Sequence, residues 1–279
     1  MTRLDRRALF TSGAAAALLA ASGLSLSAAP RMGGTLRIAV PRDDDSLTAV
    51  ARAAVYDRLT EIGPDGVLRP ELAVSWDGDA EARHWTFALH EGVTFHDGSA
   101  LSAQDAADSL MAHSLPDVAR AEATGPLRLR IELNAANPDL PFHLAASALI
   151  IAPGGAVDLP LARALGTGAY RVARAQQGRG FLGQRVDGHY KAGRAGWADT
   201  VEIVVIPDAK VRAEALRDGF VDIAALPQAD GLIGRGEFLY HPSDQDMALA
   251  ARPGVGIPRV VSAGAPLDDW RIAERWWIS

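Results

Sequence analysis

The sequence contains no cysteine, which excludes disulfide bonds, thiolate zinc sites and a cysteine nucleophile. Beyond the amino terminus it has no run of about 18 apolar residues, so no membrane span is predicted there. It also has no run of lysine or arginine, and its formal net charge is −6. Because an acidic chain without a basic patch is a poor partner for nucleic acids, we set nucleic-acid binding aside.

Patterns typical of catalysis or metal binding are missing as well. The spacing of six between His84, His90 and His96 matches no common zinc motif, and for His96 a structural hydrogen bond is favoured over metal ligation. The run 43–45 consists of three aspartates but lacks the glycine and distal glutamate of an EF-hand loop, which favours a solvated loop over a cation site. No G-x-S-x-G motif occurs. We predict neither an enzyme nor a cofactor nor a bound metal.

The first 29 residues have the pattern of an export signal. Arg3, Arg6 and Arg7 form a positive region, an apolar stretch follows at 14–26, and small residues precede position 30. The Arg6-Arg7 pair resembles a twin-arginine signal, and a Sec signal with incidental arginines is the alternative. Either route leads out of the cytoplasm, and no cysteine is available for lipid attachment. We therefore predict a free periplasmic protein.

Hydrophobic residues make up 48% of the chain and charged residues 22%, an ordinary composition for a globular protein. Alternating apolar residues predict strands at 34–40, 85–89 and 127–133, and helical spacing predicts a helix within 47–62. A further helix begins at 102, where Ser102 and Asp105 have capping-box spacing, and runs to about 114.

The second half of the chain contains a predicted βαβ unit. Residues 201–206 form an apolar strand, Asp208 can cap the following helix, and Gly219 suits its carboxyl end. A strand at 221–226 then returns, and this order predicts parallel pairing. The segment 252–279 is interpreted as a loop and a terminal segment that docks on the body. Its tryptophans are expected to pack rather than to bind a ligand.

Several stretches carry a family resemblance. WTFALHEGVTFHDGSAL at 85–101 resembles the WTFxLRxGVxFHDGxPL signature of the solute-binding proteins of peptide and nickel ABC importers, extracytoplasmic solute-binding family 5. GGTLRIAV at 33–40 and YDRLTEIGPDGVLRPELAVSW at 56–76 resemble other family segments in the same order, as does GTGAY at 166–170. The resemblance implies an α/β fold with the type II periplasmic binding protein architecture, in which two lobes close over a solute.

The resemblance also implies a domain organisation. Residues 30–61 and 166–250 are expected to form the main α/β lobe, a mixed sheet with flanking helices. Residues 62–165 are expected to form a β-rich subdomain, and 251–279 to pack on the main lobe. Only a short segment follows the region near Leu239 and Tyr240, where family members continue into a second lobe. We expect a shortened form without that lobe.

Ligand contacts are expected in the loops at the strand ends. The candidate ligand-binding residues are Arg42, Asp43, Asp44, Ser46, Tyr170, Leu226 and Gln228. For two of them an alternative stays open. The alternative for Tyr170 is a packed hinge residue, and the alternative for Arg42 is an ion pair with the nearby aspartates.

The leading functional hypothesis is the periplasmic solute-binding component of an ABC import system, which binds a small peptide or similar solute without chemistry. The implied partner is an ABC permease in the inner membrane. One alternative is a non-transport interaction protein that uses its exposed cleft face for a protein partner or for self-association. A degenerate product that no longer binds a solute is a further possibility, and an enzyme is the weakest class.

Overall fold

A computed structural model of the chain describes residues 30–42, 45–227, 238–241, 248–258 and 270–278. The predicted export signal at 1–29 lies outside these ranges. The largest sheet has seven strands, which are β1 (Thr35–Val40), β8 (Tyr170–Gln176), β9 (Gly180–Arg185), β10 (Thr200–Val205), β11 (Ile223–Leu226), β12 (Leu239–His241) and β13 (Ala248–Ala251). Their order across the sheet is β12-β13-β11-β1-β10-β9-β8.

Strand β1 lies near the centre of this sheet and pairs in parallel with both β10 and β11. The outer pairings, β10 with β9 and β11 with β13, are antiparallel. The predicted mixed α/β class is therefore confirmed. The predicted direct pairing of the two βαβ strands is wrong, because β1 lies between them. The sequence pattern indicates strand direction, whereas insertion of β1 depends on long-range contacts that local periodicity does not carry.

The predicted helix within 47–62 ends early. Helix α1 spans Ser46–Val55, and Tyr56 is already extended. Residues 60–62 instead form strand β2 (Thr60–Ile62), which pairs with β3 (Leu68–Pro70). The reason is tertiary, because the GTG stretch crosses the end of α1: a Cβ on Gly166 would lie 2.1 Å from the carbonyl oxygen of Val55. Glycine is required there for close approach of two backbone segments.

A second sheet contains the signature region. Its order is β4-β5-β7-β6, with β4 (Ala73–Gly78), β5 (His84–Leu89), β6 (Val118–Gly125) and β7 (Arg128–Leu133). Alternate residues of β5 point inward, and the sheet packs against α2 (Ala103–Ala112) in a core of its own. The predicted capping box of Ser102 and Asp105 is confirmed. The helix ends two residues before Ser114, which has a positive φ of 52°.

The remaining elements are short. Helix α3 (Leu140–His143) packs on β2, and helix α4 (Ala209–Arg217) follows β10. As predicted, Asp208 caps α4, and Gly219 after it has a φ of +85°. Among the described residues, no helix is both long and apolar enough to cross a membrane.

The carboxyl-terminal segment is built into the main core. It contains β14 (Val255–Gly256), helix α5 (Ile272–Arg275) and β15 (Trp277–Ile278), and β14 pairs with β15. Trp276 is fully buried among the residues that pack between α1 and the large sheet. The interpretation of this tryptophan as a packing residue is confirmed. The domain boundaries at 62, 166 and 251 stay predictions.

Candidate functional site

Two of the three predicted ligand-binding loops lie at the edge of the large sheet where the parallel strands β1, β10 and β11 end. The third, which contains Tyr170, lies at the opposite edge, because β8 runs parallel to β10 and Tyr170 is its first residue. Arg42 follows β1 and is exposed, and Ser46, the first residue of α1, is buried. Asp43, Asp44 and Gln228 lie outside the described residues. The part of the chain that is described thus brings at least one charged candidate to the edge where β1 ends.

Two further candidates are buried. Tyr170 begins β8, is fully buried, and donates its hydroxyl proton to the carbonyl of Ala198 at 3.0 Å. Leu226 is the last residue of β11 and is also buried. Their roles in ligand binding stay predictions. For Tyr170, this geometry favours the packed-residue alternative, because its hydroxyl already has an acceptor.

Two helices begin at the edge where β1 and β10 end, on opposite faces of the sheet. Helix α1 follows β1 and packs on the face that contains Ile38, whereas α4 follows β10 and packs on the face that contains Ala39. Because β1 and β10 are neighbours and the chain leaves them towards opposite faces, their carboxyl ends form a topological switch point, the position at which a crevice is expected in an open α/β sheet. Open α/β sheets bind ligands at such a switch point. The switch point is therefore the candidate solute site.

The loops at the switch point are held by one buried arginine. Arg212 of α4 donates from Nε to the carbonyl of Ala225 at 2.7 Å, and from Nη1 to the carbonyls of Ile206 at 2.5 Å and Pro207 at 2.9 Å. These carbonyls lie at the ends of β10 and β11. Charge-assisted bonds of this kind are about twice as strong as neutral ones, so they fix the relative position of the two loops.

Backbone strain is present beside the switch point. Asp45 precedes α1, is exposed, and has φ 57° and ψ 6°, a left-handed conformation. Its side chain makes no capping bond to the helix. A non-glycine residue in this region costs on the order of 1–3 kcal/mol, and such residues concentrate at binding sites. The strain is a second observation that points to this edge.

The histidine near the signature turn has a structural role. Nε2–H of His96 donates to the carbonyl of Gly168 at 2.8 Å, and burial lowers the pKa of this imidazole, so it is neutral. The bond joins the loop that follows β5 to the GTG stretch at 166–168. The interpretation of His96 as a hydrogen-bonding residue is confirmed.

A buried charge network joins three loops of the chain to the carboxyl-terminal helix α5. The ammonium group of Lys191 donates to Asp57 Oδ1 at 2.9 Å, Glu71 Oε1 at 2.6 Å and Glu274 Oε1 at 2.7 Å. The three carboxylates offer oxygens within 4.8 Å of one another, as a metal site would. Because an ammonium group has three donors, Lys191 gives one hydrogen bond to each carboxylate and occupies the position that a metal ion would take.

A second cation completes the network. Arg271 donates from Nη2 to Glu71 Oε2 at 2.7 Å and from Nη1 to Glu274 Oε2 at 2.6 Å. Asp57 accepts a further bond from the hydroxyl of Thr167 at 2.9 Å. The network joins segments up to 200 positions apart in the sequence. It therefore fixes the carboxyl-terminal segment against the β-rich part of the chain.

This network is not among the sites predicted from the sequence. Asp57 and Glu71 lie in the family-like stretch 56–76. Glu71 stands between Pro70 and Leu72, which could have indicated a buried charge, whereas Asp57 is followed by Arg58. Lys191 is one of only two lysines in the chain. Nothing in the spacing of these residues shows that they meet, because the contacts are made only when the sheets and the terminal segment pack together.

Two carboxylates of the network have pKa values shifted in opposite directions. Burial opposes the ionisation of Glu274, but Lys191 and Arg271 outweigh it and lower its pKa from 4.5 to about 2. Burial raises the pKa of Glu71 from 4.5 to about 7, because the same cations only partly offset it. The two groups therefore favour folding in different ranges of pH.

We expect the melting temperature to have its maximum at about pH 5. Glu274 stabilises the fold above its unfolded pKa of 4.5, and this stabilisation is lost as the pH falls towards about 2. Glu71 binds its proton more tightly in the folded state, so stability falls as the pH rises from 4.5 to about 7. Thermal melts between pH 3 and 8 measure the profile. In the Glu71→Gln variant the decline towards neutral pH should vanish, and a melting temperature that rises from pH 5 to 7 in the unaltered chain would contradict the assignment.

Residues 67–237 match the family model described as "Bacterial extracellular solute-binding proteins, family 5 Middle". The chain is similar to the glutathione-binding protein GsiB of Pectobacterium atrosepticum, with 28% identity over 79% of this chain and 46% of that protein. It is also similar to the HTH-type transcriptional regulator SgrR of the same organism, with 34% identity over 55% of this chain and 28% of that protein.

Among solved structures, the fold is similar to that of the periplasmic binding protein AgaA of A. tumefaciens R10, determined with agropinic acid. The TM-score is 0.67 at 25% identity, over 75% of this chain and 48% of that one. The predicted type II periplasmic binding architecture is thereby confirmed. In all three comparisons the chain spans less than half the length of its relative.

Proposed function

This chain belongs to family 5 of the bacterial extracellular solute-binding proteins, and we propose that it is the solute-binding component of an ABC-type import system. In this role it binds a solute in the periplasm without chemistry and presents it to a permease of the inner membrane. The observation that carries the proposal is the topological switch point at the carboxyl ends of β1 and β10, beside which Asp45 is exposed and has a strained backbone.

The solute class follows from the charges at the switch point. Arg42 and Asp45 are both exposed there and carry opposite charges. A zwitterion, such as a short peptide, presents one group of each sign and can pair with both. The relatives support the same class: GsiB is named as a glutathione-binding protein, and glutathione is a small peptide. We propose a small peptide or a related amino-acid derivative as the solute.

Isothermal titration of the chain from Pro30 onward with glutathione, trialanine and a nickel–histidine chelate tests the proposal. We expect saturable binding of at least one of them, together with a rise in melting temperature through linkage. A folded sample that responds to none of them would argue strongly against solute binding. Light scattering after size-exclusion chromatography addresses the alternative, since a self-associating chain that binds no solute would favour an interaction protein.

We expect Asp45→Gly to weaken solute binding about tenfold while changing the free energy of unfolding by no more than about 0.5 kcal/mol. Glycine tolerates the left-handed backbone, so relief of strain offsets its entropic cost in the unfolded chain. The carboxylate that pairs with the cationic group of the solute is lost. Titration calorimetry and urea unfolding measure the two effects.

Ser114→Gly is the matched control. Ser114 also has a positive φ, 52°, but it follows α2 in the β-rich part of the chain, away from the switch point. Its substitution should relieve the same kind of strain without an effect on affinity. Equal affinities of the two variants would exclude Asp45 from the solute site.

A further inference from the structure

The described residues form a concave region at the opposite edge of the large sheet from the switch point of β1 and β10. It is a cavity of about 870 Å³. Pro30 and Trp197 line it, just before the amino ends of β1 and β10, whereas the switch point lies at the carboxyl ends of the same strands. Pockets for small molecules usually have volumes of about 300–1,000 Å³, so the cavity has a suitable size.

Two aromatic pairs line this cavity. Trp197 and Trp277 meet edge to face with ring centroids 6.5 Å apart, and His90 and Tyr190 have centroids 5.3 Å apart. Trp277 is held by close contact with Gly256, where any Cβ would collide with the indole. Fixed aromatic walls favour a flat or apolar ligand body, because contact with them buries much apolar area at little entropic cost.

The acidic side chains at the cavity are all paired. Glu71 and Glu274 belong to the buried network with Lys191 and Arg271. Glu61 lies 3.5 Å from Nη2 of Arg275. No carboxylate of the described lining is therefore left to attract a cationic ligand.

Among the cations, one differs from the rest. Arg69 pairs with Asp65 at 2.6 Å, and Arg275 donates to the carbonyl of Ile62 at 2.8 Å. Arg194 is exposed, and its guanidinium group makes neither a hydrogen bond nor an ion pair with the residues that the structure describes. The uncompensated charge at the cavity is thus positive.

Two buried donors belong to the same lining. The hydroxyl of Tyr190 and Nε1–H of Trp277 are inaccessible and have no acceptor within the described structure. Because these two donors are inaccessible, an acceptor on a ligand in the cavity does not reach them. The anionic group of a ligand is therefore expected beside Arg194, which is accessible at the cavity.

We propose that this cavity binds a small carboxylic acid with an aromatic body, its ring against the aromatic pairs and its carboxylate beside Arg194. The site is distinct from the switch point and does not depend on the proposed function. Lys191 and its three carboxylates form a rigid floor beneath the cavity, so the aromatic walls are positioned before a ligand arrives.

Phenylacetate and phenylacetamide are suitable probes, because they share a ring and differ in charge. We expect phenylacetate to bind about tenfold more tightly than the amide in ligand-observed NMR titrations of the chain from Pro30 onward. The indole Nε1–H resonance of Trp277, assigned with Trp277→Phe, should shift on binding. Equal affinity for both probes, or an unshifted Trp277 signal, would overturn the proposal.

Two variants locate the site. Arg194→Gln should weaken phenylacetate binding about tenfold and leave phenylacetamide binding unchanged. Arg174 is an exposed arginine on β8, and its substitution Arg174→Gln should change the binding of neither probe.

Ala195→Trp, which fills the cavity, should abolish binding of both probes, whereas Ala192→Trp in the same loop should not. Asp45→Gly should retain phenylacetate binding, which separates this site from the switch point. Wild-type affinity in Arg194→Gln would refute the role of the arginine even if Ala195→Trp fails to fold.

Discussion

Replacement of Lys191 by methionine is expected to lower the free energy of unfolding by about 3–5 kcal/mol. The substitution removes the ammonium group that donates a hydrogen bond to each of three carboxylates. These belong to Asp57, Glu71 and Glu274, and all three are buried. Methionine has nearly the same length but no charge, so three carboxylates are left around one remaining cation, Arg271. Buried charges without partners are costly because they have lost their hydration.

The chain offers a matched control, since it contains only one other lysine. Lys210 is exposed near the start of α4, so Lys210→Met should have almost no effect. Urea unfolding followed by circular dichroism measures both variants. If Lys191→Met were as stable as Lys210→Met, the network would not contribute to stability in the way described.

The second large effect is expected at the carboxyl-terminal segment, where Trp276→Ala should destabilise the fold by about 3–5 kcal/mol. Trp276 has 0% of its surface exposed and packs in the core between α1 and the large sheet. Removal of the indole leaves a cavity that neighbouring side chains cannot fill without moving. The loss would show that this segment is an integral part of the main core.

Phe142→Ala controls for the loss of an aromatic side chain at a surface site, because Phe142 is 47% exposed. Its effect should stay below about 1 kcal/mol. Far-UV circular dichroism is the appropriate signal, since removal of a tryptophan alters the fluorescence. A Trp276→Ala variant no less stable than Phe142→Ala would mean that the terminal segment packs without contributing to the core.

Local features of the fold were predictable where the physical cause lies within a few residues. The strand at 84–89 alternates inward and outward positions, and the capping box of Ser102 and Asp105 forms within one turn of helix. The cap at Asp208 and the left-handed Gly219 likewise depend on adjacent backbone groups. In each case the side-chain pattern and the local hydrogen bonds favour the same conformation.

The end of α1 shows why other features were not predictable. The apolar spacing within 47–62 continues past Val55, but the helix stops there because Gly166 and Gly168 pack against its last carbonyl groups from more than 100 positions away. The place of β1 between β10 and β11 has the same kind of cause. Spacing along the chain contains no information about which distant segment approaches.

The candidate sites also contain some features that the sequence predicts and others that depend on tertiary contacts. The position of Arg42 after the first strand follows from sequence and family motif, and the amino acids themselves carry the family resemblance and the α/β class. The strained backbone of Asp45, the Lys191 network and the cavity beside Arg194 exist only after distant segments have met. Burial is the reason: a carboxylate or an ammonium group becomes part of such a site when packing removes its water, and packing is a property of the whole fold.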